Sequence, residues 1–400
     1  MDRTILHVDF NYFYANVECL YHPELRNRPV AVGGDEAQRH DVVLAKTPEA
    51  KRFGVCTGES LSLARKKCPG LIVVPAHHGL YMHFSKLAHK IYERYADRIE
   101  SFGLDECWID VTENIRQTDG QNLADELRWV IQKELGNSAS VGVSWNKVFA
   151  KLGSDLKKPN ATTIISRKTY KKKIWPLPVS ALLYVGESTT QRLHNYGMNT
   201  IGELAMTPSD LLKKNLGKRG ADLWTFANGM DSSPVAFFDR PKKIKSVGNS
   251  VTTYQNIATI SEIKRVFKIL AESVSRRLQE SKEYGRTIEI SIRNNQLKWS
   301  AVQMTVDCPV CTTSELAHIA MYLFQNKYRF VSPVRALGIR VCNLVNRKED
   351  SQISFNRNVI KQARQEAIDG CVGYLKKRFG KNIIKPASIL NTGVPKNTDI

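Results

Sequence analysis

Short apolar and polar segments alternate through the first 165 residues, which predicts interleaved strands and helices. Residues 4–10 form an apolar run typical of a buried strand, and a helical pattern over 12–20 follows it until His22-Pro23. Further strands are predicted at 29–34, 42–45, 98–112 (a pair) and 138–143, and further helices at 48–53, 80–97, 121–135 and 147–156. In the helix at 80–97, one face carries Leu80, Phe84, Leu87, Ile91 and Tyr95. This alternation indicates an α/β or α+β unit.

The rest of the chain divides into further stretches. Residues 177–231 read as helical with glycine punctuation, and residues 240–245 (RPKKIK) read as an exposed basic linker. Residues 246–345 show the order strand, helix, strand, strand, helix, strand, as in a small sheet backed by two helices. A last helix is predicted over about 357–378. Because 400 residues exceed what one hydrophobic core usually holds, several domains are expected.

Net charge is the unusual feature of the composition. The apolar fraction of 42% and the charged fraction of 24% are ordinary, but 59 Lys plus Arg against 39 Asp plus Glu leave +20. Such a surplus favours a polyanionic partner, and charge alone does not choose between nucleic acid and an anionic membrane surface. No apolar stretch approaches the roughly 18 residues of a membrane-spanning helix, and the acid-bearing N-terminus does not resemble a signal peptide. We therefore expect a cytoplasmic protein without a membrane segment.

The eight cysteines give little sign of a metal site. They are scattered, and only Cys308 and Cys311 form a CxxC pair. A structural zinc site needs four ligands, and neither a second CxxC nor an HxxxH follows. Two reduced cysteines near a turn are therefore expected instead of a zinc site.

Three carboxylates are candidate catalytic groups because their neighbours are apolar. Asp9 ends an apolar strand, where a charge must be hydrogen-bonded, paired or metal-bound. Asp105 and Glu106 are adjacent, so they reach one point only if the chain bends, and Gly103 is suitably placed for a bend. Three acids converging from two strand ends suit Mg²⁺, and two such ions about 3.5–4 Å apart can activate a hydroxyl and stabilise a leaving pyrophosphate. On spacing alone, an equal alternative to a metal site is that Asp9 caps the end of its strand and that Asp105 and Glu106 lie in a solvated turn.

Three ordered sequence blocks resemble the Y-family of translesion DNA polymerases. Residues 9–14 read DFNYFY, residues 103–110 read GLDECWID, and residues 146–151 and 158–160 read NKVFAK and KPN. The resemblance covers about residues 1–345 and implies a right-hand, α+β multidomain fold. It places a palm at 1–10 and 77–166, fingers at 11–76, a helical thumb at 167–235, a basic linker at 236–245, an α/β little finger at 246–345 and a C-terminal tail at 346–400.

The same resemblance implies a template-directed DNA polymerase that adds dNTPs to a primer 3′-hydroxyl with low fidelity and copies damaged templates. It implies Asp9, Asp105 and Glu106 as catalytic ligands of two Mg²⁺ ions, with the Phe10 carbonyl as a further metal ligand. Tyr14 would be the steric gate, that is, a ring that clashes with a ribose 2′-hydroxyl. By composition alone, Tyr14 would instead be one of several aromatic residues that pack the helix at 12–20. The implied nucleotide-binding residues are Tyr12, Phe13, Tyr14, Lys51 and Lys158, the last of which would offset triphosphate charge.

The fingers depart from the family pattern. The family commonly shows Thr-Ala-Asn-Tyr-x-Ala-Arg before Phe-Gly-Val, and residues 45–55 read AKTPEAKRFGV. Ala45 and Pro48 thus replace Thr and Tyr, and Lys51, a point charge, replaces the bidentate Arg. Gly103 replaces the family's Ser beside the acids. Two other hypotheses are a non-catalytic DNA-binding relative and another two-metal phosphoryl-transfer enzyme such as a nuclease; the retained carboxylates argue against the first, and Tyr14 argues against the second.

DNA-binding residues are expected in the thumb, the linker and the little finger. Residues 185–204 look like a helix-hairpin-helix, whose glycine turn directs backbone amides at a phosphate, although an ordinary helical hairpin is the alternative. The candidates are Gly186, Gly197, Lys218, Arg219, Lys242, Lys243, Lys245, Arg335 and Arg340. The cations among them would bind primer-template DNA in a salt-dependent, sequence-independent way.

The C-terminal tail carries a possible partner motif. Residues 351–355 (SQISF) resemble a shortened sliding-clamp peptide that lacks one hydrophobic position. Clamp binding through Gln352–Phe355 and a plain linker are equal alternatives. Residues 377–380 (KRFG) resemble the tail of bacterial family members. The protein is expected to be a monomer.

Overall fold

A computed structural model describes residues 3–34, 42–113, 119–239, 243–346, 359–380 and 383–384. The strands are β1 (Ile5–Phe10), β2 (Val30–Gly33), β3 (Val43–Lys46), β4 (Ile72–Pro75), β5 (Ile99–Ser101), β6 (Glu106–Asp110), β7 (Ala139–Ser144), β8 (Thr162–Ile164), β9 (Ser246–Ile257), β10 (Glu283–Asn294), β11 (Trp299–Val310) and β12 (Val334–Asn346). The α-helices are α1 (Phe13–Tyr21), α2 (Pro48–Arg52), α3 (Leu61–Lys67), α4 (His78–Tyr92), α5 (Gly120–Leu135), α6 (Lys147–Leu156), α7 (Tyr170–Ile174), α8 (Glu187–Asn195), α9 (Ile201–Met206), α10 (Ser209–Leu216), α11 (Lys218–Ala227), α12 (Ile260–Glu280), α13 (Thr313–Lys327) and α14 (Val359–Phe379). The described residues up to 239 form one compact unit, and those from 243 onwards form a second.

The first unit is built on a five-stranded sheet of order β5-β6-β1-β7-β8. Its strand pairs are antiparallel, except for the parallel pair β7-β8. The central strand β1 is buried along its whole length, and residues of α1, α4 and α5 share one hydrophobic core with the sheet. The mostly antiparallel sheet confirms the α+β prediction.

The first unit also contains a small sheet and a group of helices, each with its own hydrophobic cluster. The sheet β3-β2-β4 packs with α2 and α3 around Ala31, Val43, Ala50 and Leu61. Helices α7 to α11 share a separate core with the start of α6. In this helical region α9 begins with a capping box, in which Thr200 and Glu203 each bond the other's backbone N–H. The predicted helical stretch at 177–231 is thus confirmed.

Helix α6 lies directly against β7 because Gly142 has no side chain. A Cβ atom at Gly142 would stand 1.9 Å from the Ala150 carbonyl oxygen and 2.5 Å from the Ser154 backbone nitrogen. The helix begins at Asn146, whose Oδ1 accepts a hydrogen bond from the Phe149 N–H at 2.8 Å. This approach brings the side chains of α6 to the end of β1.

The second unit is a four-stranded antiparallel sheet of order β11-β10-β12-β9. Helices α12 and α13 bury Phe267, Leu270 and Phe324 in its core. This confirms the predicted order of strands and helices and the sheet backed by two helices. Helix α14 also belongs to this unit, where the Asp369 carboxylate accepts a hydrogen bond from the Thr313 N–H at 2.7 Å.

Two features differ from the sequence-based prediction. Helix α4 ends at Tyr92 instead of residue 97. Phe84, Ile91 and Tyr95 of the predicted face are buried, whereas Leu80 and Leu87 are only partly buried. The buried stripe also includes Tyr81, Ala88 and Tyr92. The stripe includes Tyr81 because its hydroxyl has partners inside the protein, which removes the cost of burying it. Helix α3 and the strands β4 and β8 were not predicted from the sequence. The two strands are only four and three residues long, and they pair with β2 and β7, which are distant in the sequence.

We predict that Gly142→Ala lowers the free energy of unfolding by about 2–3 kcal/mol, because the added methyl group overlaps the backbone of α6. Urea unfolding followed by circular dichroism measures this change. Gly70→Ala is the matched control, since no described residue other than its chain neighbours lies within 4 Å of that Cβ position. A shift at Gly142 no larger than that at Gly70 would contradict the close-packing argument.

Candidate active site

The register of β1 and β6 places two of the predicted acids side by side. Asp9 pairs directly with Glu106 across this antiparallel pair, so both side chains lie on one face of the sheet. Asp105 immediately precedes β6, and its carbonyl oxygen accepts a hydrogen bond from the Phe10 N–H at 3.1 Å. The predicted bend is present: residues 102–105 curve, and Gly103 has φ +102°.

The three carboxylates are close enough to affect one another's ionisation. Burial, followed by the negative charges of Glu106 and Asp9, raises the pKa of Asp105 to about 6. Burial also raises the pKa of Glu106, but its contact with His7 and the charge of Lys151 outweigh burial and hold that pKa below its usual range. The ionised form of Asp105 is therefore destabilised, whereas the ionised form of its neighbour Glu106 is stabilised.

Two lysines partly neutralise this cluster. The Lys151 Nζ lies 3.1 Å from Asp9 Oδ2, 2.9 Å from Glu106 Oε2 and 3.3 Å from Asp155 Oδ2. The Lys158 Nζ lies 2.7 Å from Asp9 Oδ2 and 2.8 Å from Asp155 Oδ1. Burial lowers the pKa of Lys151, but the surrounding carboxylates outweigh burial and raise it. Lys158 was predicted as a site residue, whereas Lys151 and Asp155 were missed.

His7 is a further missed residue of the site. Its side chain is fully buried, its Nδ1 is 2.8 Å from Ser154 Oγ, and its Nε2 is 3.4 Å from Glu106 Oε2. Burial lowers the pKa of His7. Within the described part of the chain, the group whose donor atoms could surround one metal ion is His7, Asp9 and Glu106, with these atoms within 4.8 Å of one another. The two-residue spacing of His7 and Asp9 on one strand was the signal available in the sequence.

The aromatic block follows directly on β1. Tyr14 is half-buried on α1, and burial and then the negative charge of Asp105 raise its pKa. Tyr12 has φ 52°, and the Lys51 ammonium lies 6.0 Å from the centre of its ring. Phe13 is only 3% exposed, so any contact with a nucleotide would be through its backbone. Asn11 fixes this turn by accepting a hydrogen bond from the Asn160 N–H at 2.8 Å.

The predicted DNA-binding residues of the first unit are exposed. Gly186 precedes α8, and Gly197 turns the chain towards α9 with φ +77°. Lys218 and Arg219 begin α11, and the Arg219 guanidinium lies 5.3 Å from the centre of the Tyr184 ring. Two short helices joined by a turn are present where the helix-hairpin-helix was predicted, and the contact of this motif with DNA stays a prediction.

In the second unit the predicted cations differ in exposure. Lys243 and Lys245 are exposed, and the exposed Arg340 lies 3.5 Å from Glu289. Arg335 is half-buried at a β-bulge of β12. Lys242 and the clamp-like residues Gln352–Phe355 lie outside the described residues. Their roles stay predictions.

The remaining sequence expectations concern cysteine and the membrane. Cys308 is half-buried and Cys311 is buried, and both are free thiols. The metal-competent cluster found in the described residues does not include either of them. None of the helices in the described ranges is long and apolar enough to cross a membrane.

Comparison with known proteins identifies this arrangement. The impB/mucB/samB family profile matches residues 8–155, that of its C-terminal domain residues 244–355, and that of the DNA polymerase-iota thumb domain residues 182–231. The chain is 49% identical over 391 residues to DNA polymerase IV of Acetivibrio thermocellus, with 98% of each chain covered. The chain belongs to the Y-family of DNA polymerases. It is a DNA-directed DNA polymerase of the translesion class, and its family implies a DNA substrate and a divalent metal.

Further relatives of this polymerase agree. DNA polymerase IV of Clostridium acetobutylicum is 32% identical over 396 residues, covering 98% of this chain and 99% of the relative. DNA polymerase IV 1 of Bacillus subtilis is 35% identical over 392 residues, covering 97% and 93%. A solved Y-family polymerase chimera of Dbh and Dpo4 shares the fold, with a TM-score of 0.75 and 23% identity, covering 86% of this chain and 99% of that one. The predicted right-hand α+β fold class is thus confirmed.

The pKa shifts predict opposite effects of neutralising two adjacent acids. Asp105 has its pKa raised from 3.8 to about 6, so the folded protein binds this proton more tightly than the unfolded chain and loses stability as the pH rises between those values. Asp105→Asn should therefore raise the free energy of unfolding at pH 7.5 by about 1–2 kcal/mol, and this gain should vanish near pH 4.

Glu106 has the opposite shift. Its lowered pKa contributes stability above the unfolded-state value, which is lost as the pH falls through the folded-state value. Glu106→Gln should therefore lower the free energy of unfolding at pH 7.5 by about 1–2 kcal/mol. Urea unfolding in EDTA at both pH values measures the pair, and changes of the same sign at pH 7.5 would contradict the charge assignment.

Proposed function

We propose that Asp9, Asp105, Glu106 and the Phe10 carbonyl hold two Mg²⁺ ions that serve nucleotide addition. The observation that carries the proposal is the pairing of Asp9 with Glu106, with Asp105 near enough for their charges to raise its pKa. The donor set fits the metal, since carboxylate oxygens are hard ligands. A cation already lies between two of them, because the Lys151 ammonium is within 3.1 Å of both Asp9 and Glu106. When bound, the ions would activate the primer 3′-hydroxyl and stabilise the leaving pyrophosphate.

The lysines of the site are proposed to receive the triphosphate of a dNTP. Lys158 is one-third exposed, so its ammonium contacts Asp9 while remaining open to solvent. Lys51 is exposed beside Tyr12. Each supplies a positive charge where phosphoryl transfer develops negative charge. Lys151 is more deeply buried and bound to three carboxylates, which supports a role in holding the acids together.

The departures in the fingers leave the local fold intact. Pro48 stands at the first position of α2, where a missing N–H costs nothing. Thr47 caps the helix, and its hydroxyl also donates to the Arg28 carbonyl at 2.9 Å. Lys51 and Arg52 therefore remain on a formed helix. This supports Lys51 as the replacement for the family's Arg in contacting phosphate.

DNA is proposed to be held through phosphates by both units. In the first unit, the backbone at Gly186 and Gly197 and the side chains of Lys218 and Arg219 would contact the DNA. In the second unit the proposed contacts are Lys242, Lys243, Lys245, Arg335 and Arg340. Contacts of this type predict affinity that falls steeply with salt and does not depend on sequence.

The proposed domain limits and partners follow the family resemblance. The palm is assigned to 1–10 and 77–166, the fingers to 11–76, the thumb to 167–235, the linker to 236–245, the little finger to 246–345 and the tail to 346–400. The protein is proposed to act as a cytoplasmic monomer that binds a sliding clamp through Gln352–Phe355. If deletion of Gln352–Phe355 left the affinity for a sliding clamp unchanged, the proposed clamp-binding role of these residues would be wrong.

Primer extension tests the metal-binding acids. The wild-type protein should extend a labelled primer with Mg²⁺ and dNTPs, and Asp105→Ala/Glu106→Ala should lose at least about a thousandfold in rate while still binding DNA. Glu134→Gln is the control, because Glu134 is an exposed acid of α5 that is not among the proposed site residues. It pairs with Arg94, which follows α4, at 2.6 Å. Wild type that binds DNA but adds no nucleotide would favour a non-catalytic DNA-binding role.

Tyr14→Ala tests the steric gate. Removal of the ring should raise the kcat/KM for rNTPs about a hundredfold relative to dNTPs, because the clash that rejects the added 2′-hydroxyl is lost. Single-nucleotide incorporation with each substrate measures the ratio. Tyr21→Ala, at an exposed tyrosine on the same helix, is the matched control. An unchanged ratio in Tyr14→Ala would exclude Tyr14 as the gate.

A further inference from the structure

The ring of Tyr14 is supported from behind by a second tyrosine. The Tyr14 and Tyr81 rings are stacked, with centroids 4.2 Å apart and planes 11° from parallel. His78 meets Tyr14 edge-on at 6.1 Å and Tyr81 edge-on at 5.8 Å. Tyr81 is fully buried in α4, so the half-buried Tyr14 packs on a ring that belongs to the core. Since such interiors are close-packed, Tyr14 can move back only if Tyr81 moves.

The hydroxyl of Tyr81 is fixed by hydrogen bonds in both directions. It donates to Glu18 Oε1, and it accepts from the His77 backbone N–H at 3.1 Å. The Nδ1 of His77 lies 2.9 Å from the same Glu18 oxygen. These contacts join α1, which carries both Tyr14 and Glu18, to the first turn of α4.

Glu18 is an unusual residue for a core position. It is 1% exposed, and a carboxylate at that depth is costly unless it is hydrogen-bonded. Tyr81 and His77 provide those hydrogen bonds, and they do so on the side of α4 against which Tyr14 packs. Glu18 lies four residues after Tyr14, about one helical turn, so it and the gate share one side of α1.

We infer that Tyr81, held by Glu18 and His77, is a positioning residue that fixes the Tyr14 ring and thereby sets the discrimination between dNTPs and rNTPs. The inference rests on the proposed role of Tyr14 as the steric gate. A gate excludes a 2′-hydroxyl by collision, and a ring that can retreat no longer collides. Tyr81, together with the Glu18 and His77 groups that hold it, is called the anchor here. The anchor determines how far the Tyr14 ring can move, and it does so without contacting the substrate.

Single-nucleotide incorporation by variants of the full-length protein tests the inference, with dATP and ATP as paired substrates opposite template thymine. Tyr81→Ala should reduce the dATP/ATP ratio of kcat/KM about tenfold, mainly through faster use of ATP, while kcat/KM for dATP stays within about threefold. Tyr81→Phe keeps the ring but loses the bond to Glu18, so its ratio should fall by a smaller factor. Equal losses with both nucleotides would indicate a merely structural role and would overturn the inference.

The anchor itself is tested at Glu18. Glu18→Ala should lower the ratio, and Glu18→Gln, which retains an acceptor oxygen for Tyr81, should restore most of it. This pair decides the question even if Tyr81→Ala fails to fold. Tyr95→Phe and Glu126→Ala are the matched controls, because they break a similar tyrosine–glutamate bond of 3.0 Å just beyond the other end of α4. Their ratios should equal that of the wild type.

Tyr14→Ala separates failure of the inference from failure of the gate. If Tyr14→Ala relaxes sugar selectivity and the Tyr81 and Glu18 variants do not, the gate stands and the anchor is wrong. If Tyr14→Ala leaves selectivity unchanged, the gate proposal itself is wrong. Tyr14→Ala/Tyr81→Ala should match Tyr14→Ala alone, because Tyr81 acts through the ring that is missing. An additive double variant would show that Tyr81 acts independently of Tyr14.

Discussion

The antiparallel register of β1 and β6 holds Asp9 and Glu106 side by side, and the rest of the catalytic region is organised around the charge of that pair. Two carboxylates in a partly buried site repel each other unless cations lie near. Lys151 supplies a cation from α6, which reaches the strand end only because Gly142 lets the helix approach β7. One missing side chain in the sheet thus permits the ion pairs of the site.

The pair also explains why the site is only partly neutralised. Lys151 and Lys158 stabilise Asp9 and Glu106, whereas burial and its charged neighbours destabilise ionised Asp105. A site with all its charges satisfied internally would have little affinity for a divalent ion. The residual negative charge at Asp105 is therefore a cost in stability that would favour the proposed binding of a cation.

Much of this could be predicted from the sequence, and the omissions share a physical cause. The order of strands and helices follows from periodicity, and Asp9 was recognisable because a charge interrupts an apolar strand. Lys151 was missed because its role depends on the packing of α6, which periodicity does not report. The spacing of His7 and Asp9 indicated a shared face, but the contact of His7 with Glu106 depends on the register of β1 and β6. Tyr81 was missed because the buried face of α4 was assigned from its apolar residues, including Leu80 and Leu87. The pattern of apolar residues does not show that a tyrosine hydroxyl has a partner in the core.

The block DFNYFY links the two functional parts of the site by covalent geometry. Asp9 lies near the end of β1, and α1 begins at Phe13 after a turn that Asn11 fixes, so Tyr14 follows the acid by five residues. One residue more or less in that turn would rotate the gate about 100° around the helix and separate it from Tyr81. Glu18 would rotate with it, because both are on α1. Spacing in this short segment therefore fixes the proposed metal ligand Asp9, the proposed gate Tyr14 and Glu18 together, although only Asp9 would contact the metal.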